Sequence, residues 1–213
     1  MATLTLQPDE TTGLDTYLRK GQADTNQNGD GNLGVGEDNA GTDAVDRTLI
    51  KFDLSSIPAG STINSAVITL TYSFAGNTDA NNNRTMQVYR MLRAWVEDQA
   101  TWNIAATGTN WGTAGASNTS TDRETSSIGS VACATSDAQY STKDITLTAS
   151  KIQEMITGGA FTNNGFLLQM DTEVDDLYLF CTSNNATASR RPKFVIDYTP
   201  PASALAGGHF YFM

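Results

Sequence analysis

The chain has 213 residues, a formal net charge of −10 at pH 7, 39% hydrophobic residues and 17% charged ones. That length suits one large β-sandwich or two small domains, and the hydrophobic share is enough to bury a core. The negative balance repels phosphate backbones, which excludes nucleic acid as a main partner; no apolar window approaches the roughly 20 residues that insertion into a membrane requires.

The opening MATLTLQPDETTG has neither a basic start nor an apolar core of signal-peptide length, so synthesis without a signal peptide is expected. Strands are predicted over residues 3–7 and 16–19. A loop rich in Asn, Asp and Gly follows. Counting Asn26 as position 1 puts Asn28 at 3, Asp30 at 5, Gly31 at 6 and Glu37 at 12, which is the EF-hand spacing. Calcium is a hard cation that takes roughly six to eight oxygens, and side chains on alternate residues around a glycine turn supply them. Asn26, Asn28, Asp30 and Glu37 are therefore candidate calcium ligands. Asn in place of Asp at the first position, and the lack of flanking amphipathic helices, favour a plain Asx-rich turn. Both readings stay open at this point.

Residues 47–72, RTLIKFDLSSIPAGSTINSAVITLTY, read as two strands and the corner between them. Leu49, Ile50, Phe52 and Leu54 suit a buried strand, Pro58 and Gly60 turn the chain, and Ile63, Ala66, Ile68 and Leu70 alternate with polar residues. A polar loop over 74–83 leads to a strand over 86–95. Trp95, Trp102 and Trp111 come next. One reading stacks a tryptophan on a sugar ring, with Asn, Gln or Asp neighbours fixing the hydroxyls; the other plugs the end of the sandwich with them. Trp111, in the glycine-rich run 108–115, is the expected exposed platform, with Asn110 and Trp102 beside it as glycan-binding candidates.

A Ser/Thr-rich loop over 112–130 precedes a strand at 144–148 and a helix over 149–156. Ser150 with Gln153, or Thr148, is placed to cap that helix; Ile152, Met155 and Ile156 form its apolar stripe, and Gly158-Gly159 ends it. Strands at 166–170, 177–181 and 194–198 complete the set, with the last two expected to pair. Cys133 and Cys181, the only cysteines, leave a disulfide or two buried thiols open. With two cysteines and one histidine, a cysteine–histidine zinc site is out. No acid pair or nucleophile motif suggests catalysis, so a non-catalytic protein is expected.

Four segments in order resemble the signature of DNRLRE-type domains: 47–72 above, RAWVEDQATWN with NWG (93–103 and 110–112), KDITLTASKIQEMITGG (143–159) and SRRPKFVIDY (189–198). These are β-sandwich modules similar to some carbohydrate-binding modules. The resemblance covers about residues 16–198 and implies that Trp95, Trp102 and the Arg190-Arg191-Pro192 opening of the last strand belong to the fold. Such modules occur in secreted glycan-active proteins, cell-surface proteins and phage virion proteins alike, so function must come from the site.

The expected architecture is all-β: a single antiparallel, jelly-roll-like β-sandwich over 1–198 with one short helix, then a Pro-initiated linker and aromatic tail over 199–213. Leu205, Phe210, Tyr211, Phe212 and Met213 concentrate apolar area on that tail and are the expected assembly contacts with other protein subunits. The expected function is a structural subunit of a virion or extracellular surface assembly, in capsid decoration or a tail component. The alternative is an adhesion module that binds a surface polysaccharide.

Overall fold

The computed structural model describes residues 1–38, 44–74 and 81–202. Its first sheet has four strands: β1 (Ala2–Leu6), β13 (Lys193–Thr199), β5 (Thr62–Thr71) and β10 (Thr142–Thr146), in that spatial order. The second runs β12 (Tyr178–Cys181), β3 (Asn32–Asp38), β4 (Ala44–Lys51), β11 (Phe166–Met170), β6 (Arg84–Arg90) and β9 (Gly129–Cys133), with β2 (Leu14–Arg19) also paired to β4. A small ribbon, β7 (Ile104–Ala106) with β8 (Thr109–Asn110), stands apart. These pairings are antiparallel, and the molecule is an all-β sandwich.

Period-two alternation sends one face of each outer strand inward. On β5, Ile63, Ala66, Ile68 and Leu70 are buried, while Asn64 and Thr69 face away. Across the interior Phe194 meets Phe52 at 5.2 Å and Phe166 at 5.9 Å between ring centroids, and Tyr72 stacks on Phe180 at 4.8 Å. Strand β4 is covered on both faces. Ile50 joins this core, whereas Leu49 enters a second cluster with Leu18, Met91, Trp102, Trp111 and Leu167. That second cluster forms where residues 95–123 fold over the outer face of the second sheet.

Two expectations about elements change. Strand β12 pairs with β3, with Tyr178 opposite Val35, and β13 lies between β1 and β5, so 177–181 and 194–198 sit in different sheets. Phe180 and Phe194 both point into the core from opposite sides, which side-by-side pairing would forbid. The helix, α1 (Ala149–Gln153), is shorter than the spacing predicted. Thr148 is its N-cap residue, but its hydroxyl donates to the Ile128 carbonyl at 3.0 Å and makes no cap bond. Met155 and Ile156 are nevertheless buried, in the turn that follows. Cys133 and Cys181 are both buried free thiols, and burial raises the Cys133 thiol to about 11.

Candidate functional site

The tryptophan cap is a packed unit. Trp111 is 5% exposed and Trp102 8%. The Trp111 indole N–H donates to the Thr101 carbonyl at 2.9 Å, and Trp95 donates to the Asn164 carbonyl at 2.8 Å. The Arg47 guanidinium lies 5.0 Å from the Trp102 ring centroid, forked onto Glu173 by two 2.7 Å bonds, and also donates to the Gly115 carbonyl. The exposed platform expected at Trp111 is thus corrected: its ring fills the second cluster, with no face left for a sugar. Asn110 is exposed on β8 opposite Ile104. The glycine-rich run points to openness, but Gly112 and Gly115 serve close approach; Gly115 takes φ 73°, and a Cβ there would lie 2.7 Å from the Trp102 ring.

The Asx-rich loop is tied to its surroundings residue by residue. Asn26 donates to the carbonyls of Glu97 and Ala100, both at 2.7 Å, while its oxygen accepts from the Asn28 N–H at 3.0 Å. Asp30 accepts from the Tyr17 hydroxyl at 2.7 Å. Glu37 lies on β3 and accepts from the Asp175 N–H at 3.2 Å. Among the described residues no three His, Cys, Asp or Glu side chains gather as a metal site. The arrangement is that of an Asx turn, locked down by side chains that reach the cap.

The open surface lies elsewhere, around the segment between α1 and β11. A cleft of about 520 Å³ is walled by Leu14, Lys51, Asp53, Leu54, Met155, Phe161 and Asn163, among others. It shares Thr12 and Asp53 with a cleft of about 230 Å³ along the end of β1, and Phe161 and Thr162 with one of about 430 Å³. That third cleft shares Leu92 with a fourth, about 470 Å³, walled by Thr119, Thr125, Ser126, Ser127, Thr148, Glu124 and Lys151. The result is a trough of alternating apolar and hydroxyl- or amide-bearing walls, with Phe161 at its middle. Under Phe161, 3.8 Å from its ring centroid, lies Arg90. That guanidinium is 1% exposed and fully committed: two bonds to Glu124 at 2.8 and 2.6 Å, one to Glu154 and one to the Lys151 carbonyl.

The carboxylates of the trough are held ionised. Backbone and hydroxyl bonds from Ser55, with Lys51 nearby, put Asp53 below the ordinary range. Bonds from Arg90 do the same for Glu124, against its burial. A general acid needs a raised pKa to carry a proton at neutral pH, and neither group has one. What these walls can do is hold a polar chain by hydrogen bonds and ring contact. The signal in the sequence that could have found the trough is GGAFTNNG, residues 158–165: small and amide residues around one aromatic, with no strand pattern to bury it.

Leu205, Phe210, Tyr211, Phe212 and Met213, the expected assembly contacts, lie outside the described residues. No helix among the described residues is long and apolar enough to cross a membrane. A family model described as the disaggregatase related repeat domain matches residues 15–196. No curated protein matches the chain.

Proposed function

The chain belongs to the disaggregatase related repeat domain family, and from that premise we propose that it is a non-catalytic surface module that holds a polysaccharide along the trough through Phe161. The observation that carries this is the sharing of wall residues between neighbouring clefts, which sets several clefts side by side rather than one closed pocket. A flexible chain of sugar rings can span such a row. Its CH faces pack on an aromatic ring and its hydroxyls exchange hydrogen bonds with Thr, Ser, Asn and carboxylate groups. The resemblance to DNRLRE-type domains supports the same ligand class. Placement in a virion or cell-surface assembly belongs to the same proposal, and draws on the apolar tail rather than on the trough.

The test is titration of the protein with a panel of neutral and acidic polysaccharides. The wild type binds at least one, and Phe161→Ala weakens that binding tenfold or more while circular dichroism stays unchanged. Trp111 gives the contrast, since it does not face the trough. A wild type that binds none of the panel, or a Phe161→Ala variant that binds undiminished, overturns the reading.

A further inference from the structure

We infer that strand β1, the free edge of the first sheet, is an interface between two copies of this chain, which pair antiparallel through it about Leu4 and make one continuous sheet. The first observation is how the other sheet edges are covered. At β12 the edge is taken up by the end of β5: Ser73 donates its backbone N–H to the Leu179 carbonyl at 3.0 Å, and Tyr72 bridges Phe180. The edges β9 and β10 lie against each other. A Cβ on Gly129 would sit 2.6 Å from the Thr146 carbonyl oxygen, and just beyond, the Thr148 N–H donates to the Ile128 carbonyl at 2.7 Å. Lys143 and Asp144 add charge to β10, which discourages pairing there. Strand β1 has none of this protection. Residues 2–6, ATLTL, carry no charge and no proline, and their register with β13 runs without a bulge. Among the described residues no strand lies beyond it. A flat, uncharged edge of unpaired backbone groups is a template for a further strand.

The second observation is that this edge complements itself. A two-fold axis at Leu4 sets Thr3 opposite Thr5 of the other copy and Ala2 opposite its Leu6. Cross-strand threonine pairs are favourable, and no like charges meet along the seam. Leu4 and Leu6 are only partly buried against the core, so a second strand covers the area they leave open. Met1, 89% exposed, falls opposite Gln7 of the other copy, which borders the cleft of about 230 Å³. Charge fits as well. Lys193 and Asp197 stand at opposite ends of the neighbouring β13, and the reversal brings the basic end of one copy towards the acidic end of the other. A single strand pair is a small interface, of the transient class, so association in the micromolar to millimolar range is expected.

The experiment uses the full chain at physiological ionic strength, which screens its net charge of −10 over about 8 Å. Sedimentation equilibrium from micromolar to millimolar concentration is expected to show monomer passing to dimer. Thr5 is exposed, and Thr5→Glu sets a carboxylate opposite Thr3 of the other copy, on the side where Asp197 lies. That variant is expected to weaken the dimer at least tenfold while circular dichroism and the melting temperature hold. Cross-linking reads the register and decides should Thr5→Glu fail to fold. A Thr3→Cys chain and a Thr5→Cys chain, oxidised together, are expected to give the mixed disulfide in excess over either symmetric one; the native thiols are buried and do not compete. A wild type that stays monomeric up to millimolar concentration overturns the inference, even where β1 accepts a strand from another protein. So does a Thr5→Glu variant that dimerises undiminished, or symmetric disulfides as abundant as the mixed one. No polysaccharide enters these assays, so their outcomes are independent of glycan binding.

Discussion

Asp46 and Asp122 are both fully withdrawn from water, and hydrogen bonds send them in opposite directions. Asp122 accepts from the backbone N–H groups of Gly112, Thr113 and Asn118 at 2.8 to 3.1 Å and from Arg93 at 3.1 Å. Burial pushes its carboxyl up, but these donors outweigh that and hold it below the ordinary range. Its contribution to stability is present above the unfolded pKa and is lost as pH falls through the folded one. Asp46 is 1% exposed, its Oδ1 has no hydrogen bond, and Arg19 stands 3.8 Å away. Burial raises it from 3.8 to about 7; Arg19 opposes the rise, while Asp38 and Asp30 add to it. The folded protein therefore holds this proton more tightly than the unfolded chain does. The resulting stability is full below about pH 3.8 and is lost as pH rises to about 7, a difference of about 4 kcal/mol at full weight. Burial raises Asp15 to about 6 in the same sense. Asp46→Asn is expected to flatten the melting temperature between pH 4 and 8 and to exceed the wild type above pH 7. Thermal melts across that range check it, and parallel curves for the two proteins would refute it.

At the scale of elements, the cap over 95–123 shows what the sequence could and could not convey. Its tryptophans pack against Leu18, Leu49 and Leu167 on the sheet's outer face. Trp111→Ala is expected to cost about 3–5 kcal/mol, because a cavity opens under a loop that cannot collapse; urea denaturation measures it, and a loss under about 1 kcal/mol would return Trp111 to the surface. The main strands were legible because period-two alternation survives in β5 and β13, and because the unbroken Leu49-Ile50 pair marks a strand covered on both sides. Which strands pair was not legible. Tyr178 and Phe180 look the same in sequence whether they meet Phe194 side by side or across the core. The site was the least legible part. Glycine near Trp111 signalled exposure but serves a close approach to Trp102, and the trough is assembled from five separated segments that carry no motif. Phe161 became visible as a centre only once α1 and β11 had placed it over Arg90.

For the whole molecule, the governing feature is the pairing of the first and last strands among the described residues. Ala2 lies opposite Tyr198 and Leu6 opposite Phe194, so contacts such as that between Thr3 and Asp197 join residues 194 positions apart. Two antiparallel neighbours of this kind differ from a hairpin only by a missing turn. The fold is in effect a ring of strands, cut open at one tight bend. The cut can be moved. Linking Ala202 to Ala2 through a few glycines, and opening the chain instead between the exposed Ala186 and Thr187, would make β13 and β1 a local hairpin at the new N-terminus. That permutant is expected to melt cooperatively within a few degrees of a chain ending at Ala202. It should also refold faster, because closing the sheet's edge no longer waits for the two ends of the polypeptide to find each other. Stopped-flow refolding reads this directly: an unchanged rate would mean that the β1–β13 edge closes after the rate-limiting step, and the order of assembly would start from β4 and its neighbours.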